Sequence, residues 1–111
     1  MKKIFISYSH VEEIFARLLA TDLARLGADF WMDINDIIPS SEWRKAIDTG
    51  LDQSDIMLLI ASPQSLASSY VRYEWEAFLK ANKPILPVLL DCTVDDLPDE
   101  LERFQLIDFT A

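Results

Sequence analysis

Glycine is nearly missing from this chain: Gly27 and Gly50 are the only two among 111 residues. A GxGxxG dinucleotide fingerprint needs more glycines than that, and a P-loop needs its glycines closely spaced ahead of a lysine, so both phosphate cradles are excluded. Cysteine is scarcer still. Cys92, standing alone, forbids an intramolecular disulfide and a cysteine-based zinc cluster, and it accords with a reducing cytosol in which the thiol is free and inert. Basic residues are outnumbered, 10 Lys and Arg against 19 Asp and Glu, for a formal net charge of −9. Duplex DNA and anionic lipid both demand clustered cations to neutralise phosphates, so neither nucleic acid nor a membrane is expected as a partner. No apolar run approaches the roughly 20 residues of a membrane span. Residues 1–10 carry two lysines and a strand-like IFISYS, without the apolar stretch and cleavage site of a signal peptide, so a cytoplasmic domain is expected. The lone His10 has no cysteine or activated serine arranged around it, which leaves no nucleophilic triad, and no metal site is expected.

What is present is an alternation of strand and helix signals. With 50% hydrophobic and 26% charged residues, the chain suits one compact domain with a modest core. KKIFISYS reads as a strand, and VEEIFARLLATDLARLG as an amphipathic helix with apolar residues at 11, 14, 15, 18, 19, 23 and 26. Gly27 sits where a helix C-cap takes a left-handed residue, and ADFWM is a second strand ending at Asp33. DINDIIPSS is a loop, and Ser40 or Ser41 caps a helix through EWRKAIDTGL whose last turn Gly50 weakens. DIMLLIAS is almost wholly apolar, as a strand buried on both faces of a parallel sheet is. SPQSLASS reads as a loop, YVRYEWEAFLKAN as a helix, and PILPVLLD as a strand that Pro84 and Pro87 push toward an outer position. VDDLPDELERF gives an acidic loop with a short helix, and QLIDF a last strand. The expected fold is α/β: a flavodoxin-like three-layer domain with a five-stranded parallel sheet of order 2-1-3-4-5 and helices on both faces. Residues 1–111 form one unit, whose end directly after the fifth strand suggests a module of a larger protein.

A phosphoacceptor reading of this fold fails, because the first strand ends in SYSH and the third in ASP, whose last residue is Pro63 rather than a carboxylate. Ligands in open parallel sheets settle at the carboxyl ends of the strands, where consecutive helices depart to opposite faces. SYSH and the first turns of the helix after the third strand converge there, and the Asp33 loop is a neighbour. At about 100° per residue, Val71, Trp75, Phe78 and Leu79 make the buried stripe of that helix, and Tyr70, Tyr73 and Glu74 share its flank. Two accounts of Glu74 stay open: a carboxylate favoured by the helix N-terminal dipole, or one wall of a cleft.

Over essentially its whole length the chain resembles a bacterial-type Toll/interleukin-1 receptor (TIR) domain. The resemblance rests on IFISYSH, FWMDINDIIPSSEW, SDIMLLIASPQSLASSYVRYE, KPILPVLL and QLIDF. It implies cleavage of NAD at the nicotinamide–ribose bond, an NAD+ nucleosidase activity in which Glu74 is the catalytic glutamate and NAD is substrate rather than cofactor. It further implies that Ser9, His10, Asp33, Trp43, Tyr70 and Tyr73 line the substrate site. Tyr70 stands where the family usually has tryptophan, His10 near a position often basic, and Ser40 where glycine is common. Ile37, Ile38 and Pro39 fall in the family's BB loop, which implies self-association with other TIR domains, and the family's helix after the last strand has no counterpart here. The resemblance equally admits a non-enzymatic adaptor that recruits other TIR domains through that loop. Carboxylate chemistry suits the hydrolytic reading: nicotinamide is a cationic leaving group, and the demanding species is an oxocarbenium-like ribose.

Overall fold

The computed structural model describes residues 3–32, 41–101, 104 and 107–108. Four strands, β1 (Lys3–Ser7), β2 (Asp29–Met32), β3 (Ile56–Ala61) and β4 (Ile85–Leu89), form the body of a parallel sheet, and the two residues of β5 (Ile107–Asp108) pair with β4. The strand order is β2-β1-β3-β4-β5. β3 is central, and five of its six residues are buried, as its unbroken apolar run requires.

Alternation along the central strands divides the core in two. Phe5 of β1 with Met57 and Leu59 of β3 packs on one face against Ile47 and Leu51 of α2 (Ser41–Gln53) and Val71, Trp75 and Phe78 of α4 (Ser69–Lys80). Ile6, Leu58, Ile60 and Val88 point to the other face and meet Ala16 and Ala20 of α1 (Glu13–Arg25). Helices therefore cover both faces of the sheet, and the carboxyl ends of β1 and β3 lie between α1 and α4.

Local chemistry explains the boundaries. Gly27 has φ +78°, and the Ala28 N–H returns to the Leu23 carbonyl at 3.0 Å, closing α1 with the left-handed turn expected there. Gly50 does more than weaken a helix. A Cβ on it would stand 2.8 Å from the Trp31 indole, so the glycine is what lets α2 lie against β2. Trp31 in turn stacks on Phe5, ring centroids 4.9 Å apart. Pro87 lies inside β4 without breaking its pairing to β3. The Leu90 N–H donates to Ala61 at 2.8 Å, so the two-residue alternation directs the Pro87 nitrogen toward β5, away from β3; among the described residues β5 pairs with Val88 and Leu89.

Three expectations need correction. The segment SPQSLASS is not all loop: Pro63–Ala67 forms a short helix, α3, because Ser62 caps it through a reciprocal bond pair with Ser65 and Pro63 occupies its first turn. VDDLPDELERF holds two 3-10 turns, Val94–Asp96 and Asp99–Leu101, in place of a loop and one helix. The apolar positions of α1 do not form one buried stripe. Ala16 and Ala20 face the sheet with Phe15, Leu19 and Leu23 beside them, while Val11, Ile14, Leu18 and Leu26 are exposed.

Candidate functional site

The site is assembled from β1, α2 and α4. In β1 the side chains alternate, so Ser7 emerges on the same face as Phe5, one step beyond the apolar core, and is buried. Across it lies α4. Ser68 caps that helix by accepting from the Val71 N–H at 3.3 Å, which sets Glu74 in the second turn. No acidic residue occupies the first turn. The helix dipole fades beyond the first turn, so it does not account for Glu74.

Glu74 is 5% exposed, and its Oε1 accepts a hydrogen bond from the Ser7 hydroxyl at 2.6 Å. A cavity of about 290 Å³ opens beside it, lined by Arg44, Ile47, Ser69, Tyr70, Tyr73 and Glu74. Glu74 thus forms part of a cavity wall in the second turn of α4. Tyr70 remains half-exposed at the rim. Tyr73 donates its hydroxyl to Asp48 Oδ1 at 2.6 Å and carries the Arg44 guanidinium 4.7 Å from its ring centroid. The Asp48 hydrogen bond raises the Tyr73 pKa above the usual phenol value, against a smaller opposing effect of Arg44.

Of the residues singled out from sequence, Glu74, Tyr70 and Tyr73 come together in this cavity. Ser9 and His10 do not line it. Ser9 donates to Glu12 Oε1 at 2.8 Å, and His10 is exposed at the start of a 3-10 turn, His10–Glu12. Asp33, Ile37, Ile38, Pro39 and the side chain of Trp43 lie outside the described residues. Ser7, Arg44 and Asp48 were missed. Ser7 was within reach, since the strand alternation that buries Phe5 also aims Ser7 at the same face. Arg44 and Asp48 carry no such signal, because their place beside Tyr73 depends on how α2 crosses α4.

The molecule is thus a parallel α/β domain with a buried carboxylate and two tyrosines around a cavity at the carboxyl ends of its strands, the place where open parallel sheets bind ligands in general. The model of the TIR domain family matches residues 4–111, and the chain belongs to that family. It is 30% identical over 101 residues to the 2' cyclic ADP-D-ribose synthase AbTIR of Acinetobacter baumannii, covering 86% of this chain and 38% of that protein. It is also 30% identical over 90 residues to the NAD(+) hydrolase TcpC of Escherichia coli, covering 76% of this chain and 29% of that one. The chain thus spans well under half the length of these relatives. Among solved structures, the TIR domain of the Toll-related receptor TRR-2 from Hydra magnipapillata superposes with a TM-score of 0.78 at 18% identity, covering 96% of this chain and 82% of the other. A metazoan TIR-STING receptor from C. gigas gives 0.75 at 26% identity, over 94% and 36% of the two chains.

Proposed function

We propose that this domain cleaves NAD at the nicotinamide–ribose bond, acting as an NAD+ nucleosidase when several copies assemble, within a signalling or defence effector of the cytoplasm. The observation that carries the reading is Glu74: buried, held by Ser7 at 2.6 Å, and lining a hollow whose other walls include two tyrosines. The activities for which the relatives AbTIR and TcpC are named support it.

Each residue then has a role its chemistry can fill. Glu74 faces the ribose and stabilises the positive charge that grows as the bond to nicotinamide lengthens; a leaving group already cationic needs no strong acid. Ser7 is a positioning residue that fixes one carboxylate oxygen. Tyr70 and Tyr73 supply stacking surface and exclude water from the hollow. Arg44 supplies the positive charge for the pyrophosphate. At about 290 Å³ the cavity suits the nicotinamide–ribose half of NAD. The other half extends beyond it, where a neighbouring copy completes the site. Water as acceptor gives ADP-ribose, and an adenosine acceptor within the same molecule gives a cyclic product.

The test is nicotinamide release from NAD by purified protein, with and without forced oligomerisation. Wild type releases nicotinamide and Glu74→Ala does not, while circular dichroism shows both folded. Equal release by the two proteins removes Glu74 from the reaction.

A further inference from the structure

A second carboxylate is buried on the opposite face of the sheet, and nothing in the proposed reaction uses it. Glu12, at the entry to α1, is 8% exposed. Its Oε1 accepts from the hydroxyls of both Ser9 and Ser62, which ties the entry of α1 to the cap of α3. Its Oε2 accepts no hydrogen bond and meets no cation among the described residues. A carboxylate buried to this degree has lost most of its water, and a cation within reach offsets that cost. The ties to Ser9 and Ser62 account for Oε1 and leave Oε2 without a donor among the described residues.

That carboxylate lines a cavity of about 470 Å³ whose apolar walls are Val11, Ile14, Phe15, Leu18 and Leu90. Asp91 adds a second, exposed carboxylate at its rim. Above the cavity, Val11, Ile14 and Leu18 are 70%, 77% and 62% exposed. Val11 sits in the 3-10 turn that leads into α1, and Ile14 and Leu18, four residues apart, share one face of α1; all three line the cavity, so they form an apolar ridge across the entry and first turns of the helix. Scattered exposed aliphatics are ordinary; three together beside a hollow with a buried carboxylate that has no cation among the described residues are not.

We propose that this ridge and cavity dock an amphipathic, basic helix of a partner protein, which lays its apolar side chains on Val11, Ile14 and Leu18 and sends one arginine or lysine into the cavity to Glu12. Charge selects this occupant. The chain carries a net charge of −9, so a second copy would bring its own acidic surface against Glu12 and Asp91, whereas a basic helix complements them. The aliphatic stem of arginine or lysine suits the apolar walls, and its head suits the open Oε2. The site lies across the sheet from Glu74 and stands independently of the NAD reading.

The probe is a synthetic helical peptide with leucines on one face and a single central arginine on that same face, titrated against the intact protein by calorimetry. Saturable binding is expected, at least about 30-fold weaker for Glu12→Gln, because one member of a buried charge pair is lost. Replacing the peptide's arginine with glutamine should cost wild type a comparable factor and Glu12→Gln almost nothing. Ile14→Ser combined with Leu18→Ser, both on the surface and hence harmless to folding, should abolish binding while the melting curve stays in place. Absence of saturable binding overturns the proposal, as does equal affinity for wild type and the serine double variant. Butylguanidinium binding as tightly as the peptide would make the occupant a small organic cation instead. A wild-type dimer in sedimentation that the serine double variant dissolves would assign the ridge to a second copy.

Discussion

Glu74 differs from the surface carboxylates of this acidic chain in a single respect, its environment. Ser7 holds one oxygen at 2.6 Å, the helix flank shields the group, and a hollow opens in front of it. Preorganised charge of this kind contributes most where water is excluded. Glu74→Gln keeps the shape and removes the charge, so nicotinamide release should fall by about a hundredfold or more with little change in melting temperature. Ser7→Ala leaves the carboxylate buried with one donor fewer. The expected result is a loss of stability of about 1–3 kcal/mol in denaturant titration, together with a lower kcat at nearly constant KM, since the alanine variant still admits substrate. Tyr73 offers a pH handle. Its pKa is raised because Asp48 accepts its proton in a hydrogen bond, so that bond stabilises the fold at ordinary pH and the contribution is lost as pH climbs above about 10 through the folded value. Spectrophotometric titration of Asp48→Ala should show the phenolate of Tyr73 forming at lower pH than in wild type. An unchanged titration curve would mean that Asp48 does not govern Tyr73.

Helix α2 shows how an element of indifferent propensity is fixed by its neighbours. Its C-terminal carbonyls, from Leu51, Asp52 and Ser54, all accept from the Lys83 ammonium at 2.8 to 3.0 Å, so a residue just ahead of β4 caps the end of α2. The same ammonium lies 5.2 Å from the Phe78 ring centroid, joining the cap to the core. Lys83→Met preserves the stem and should cost about 1.5–3 kcal/mol in urea unfolding, the range for hydrogen bonds to a charged group. Gly50 tests the opposite kind of contact. Alanine there gains up to about 1 kcal/mol in helix propensity, yet its Cβ would stand 2.8 Å from an indole already pinned against Phe5. Overpacking of about 1–3 kcal/mol outweighs that gain. Gly50→Ala should therefore melt at a lower temperature, with altered tryptophan fluorescence.

At the scale of the whole molecule, the sheet divides the domain into two working faces. The Glu74 cavity lies on the α2–α4 side and the Glu12 cavity on the α1 side, both at the carboxyl ends of the strands. A cavity of about 290 Å³ is small for a whole dinucleotide. If a neighbouring copy completes the site, nicotinamide released per mole of protein should rise with protein concentration, and rise further on fusion to an oligomerising scaffold. A turnover number constant from nanomolar to micromolar protein would show that each copy works alone. Among the described residues no helix is long and apolar enough to cross a membrane.

The sequence by itself determined the succession of the strands and of the three longer helices, the central position of β3 and the angular place of Glu74 beside Tyr70 and Tyr73. Each of these is a matter of period, and period is a local property of the chain. What covers a given face is not local. Ser7 and Glu74 are 67 residues apart, Tyr73 and Asp48 are 25, and neither pairing leaves a trace in the spacing of either segment. The same limit explains α1: the apolar residues at 11, 14, 15, 18, 19, 23 and 26 look equivalent in the sequence, yet the residues buried against the sheet are Ala16 and Ala20, outside that set, while Val11, Ile14 and Leu18 are exposed. Tertiary packing decided which apolar residues became core and which became surface, because burial depends on the partner surface a side chain meets and not on its own chemistry.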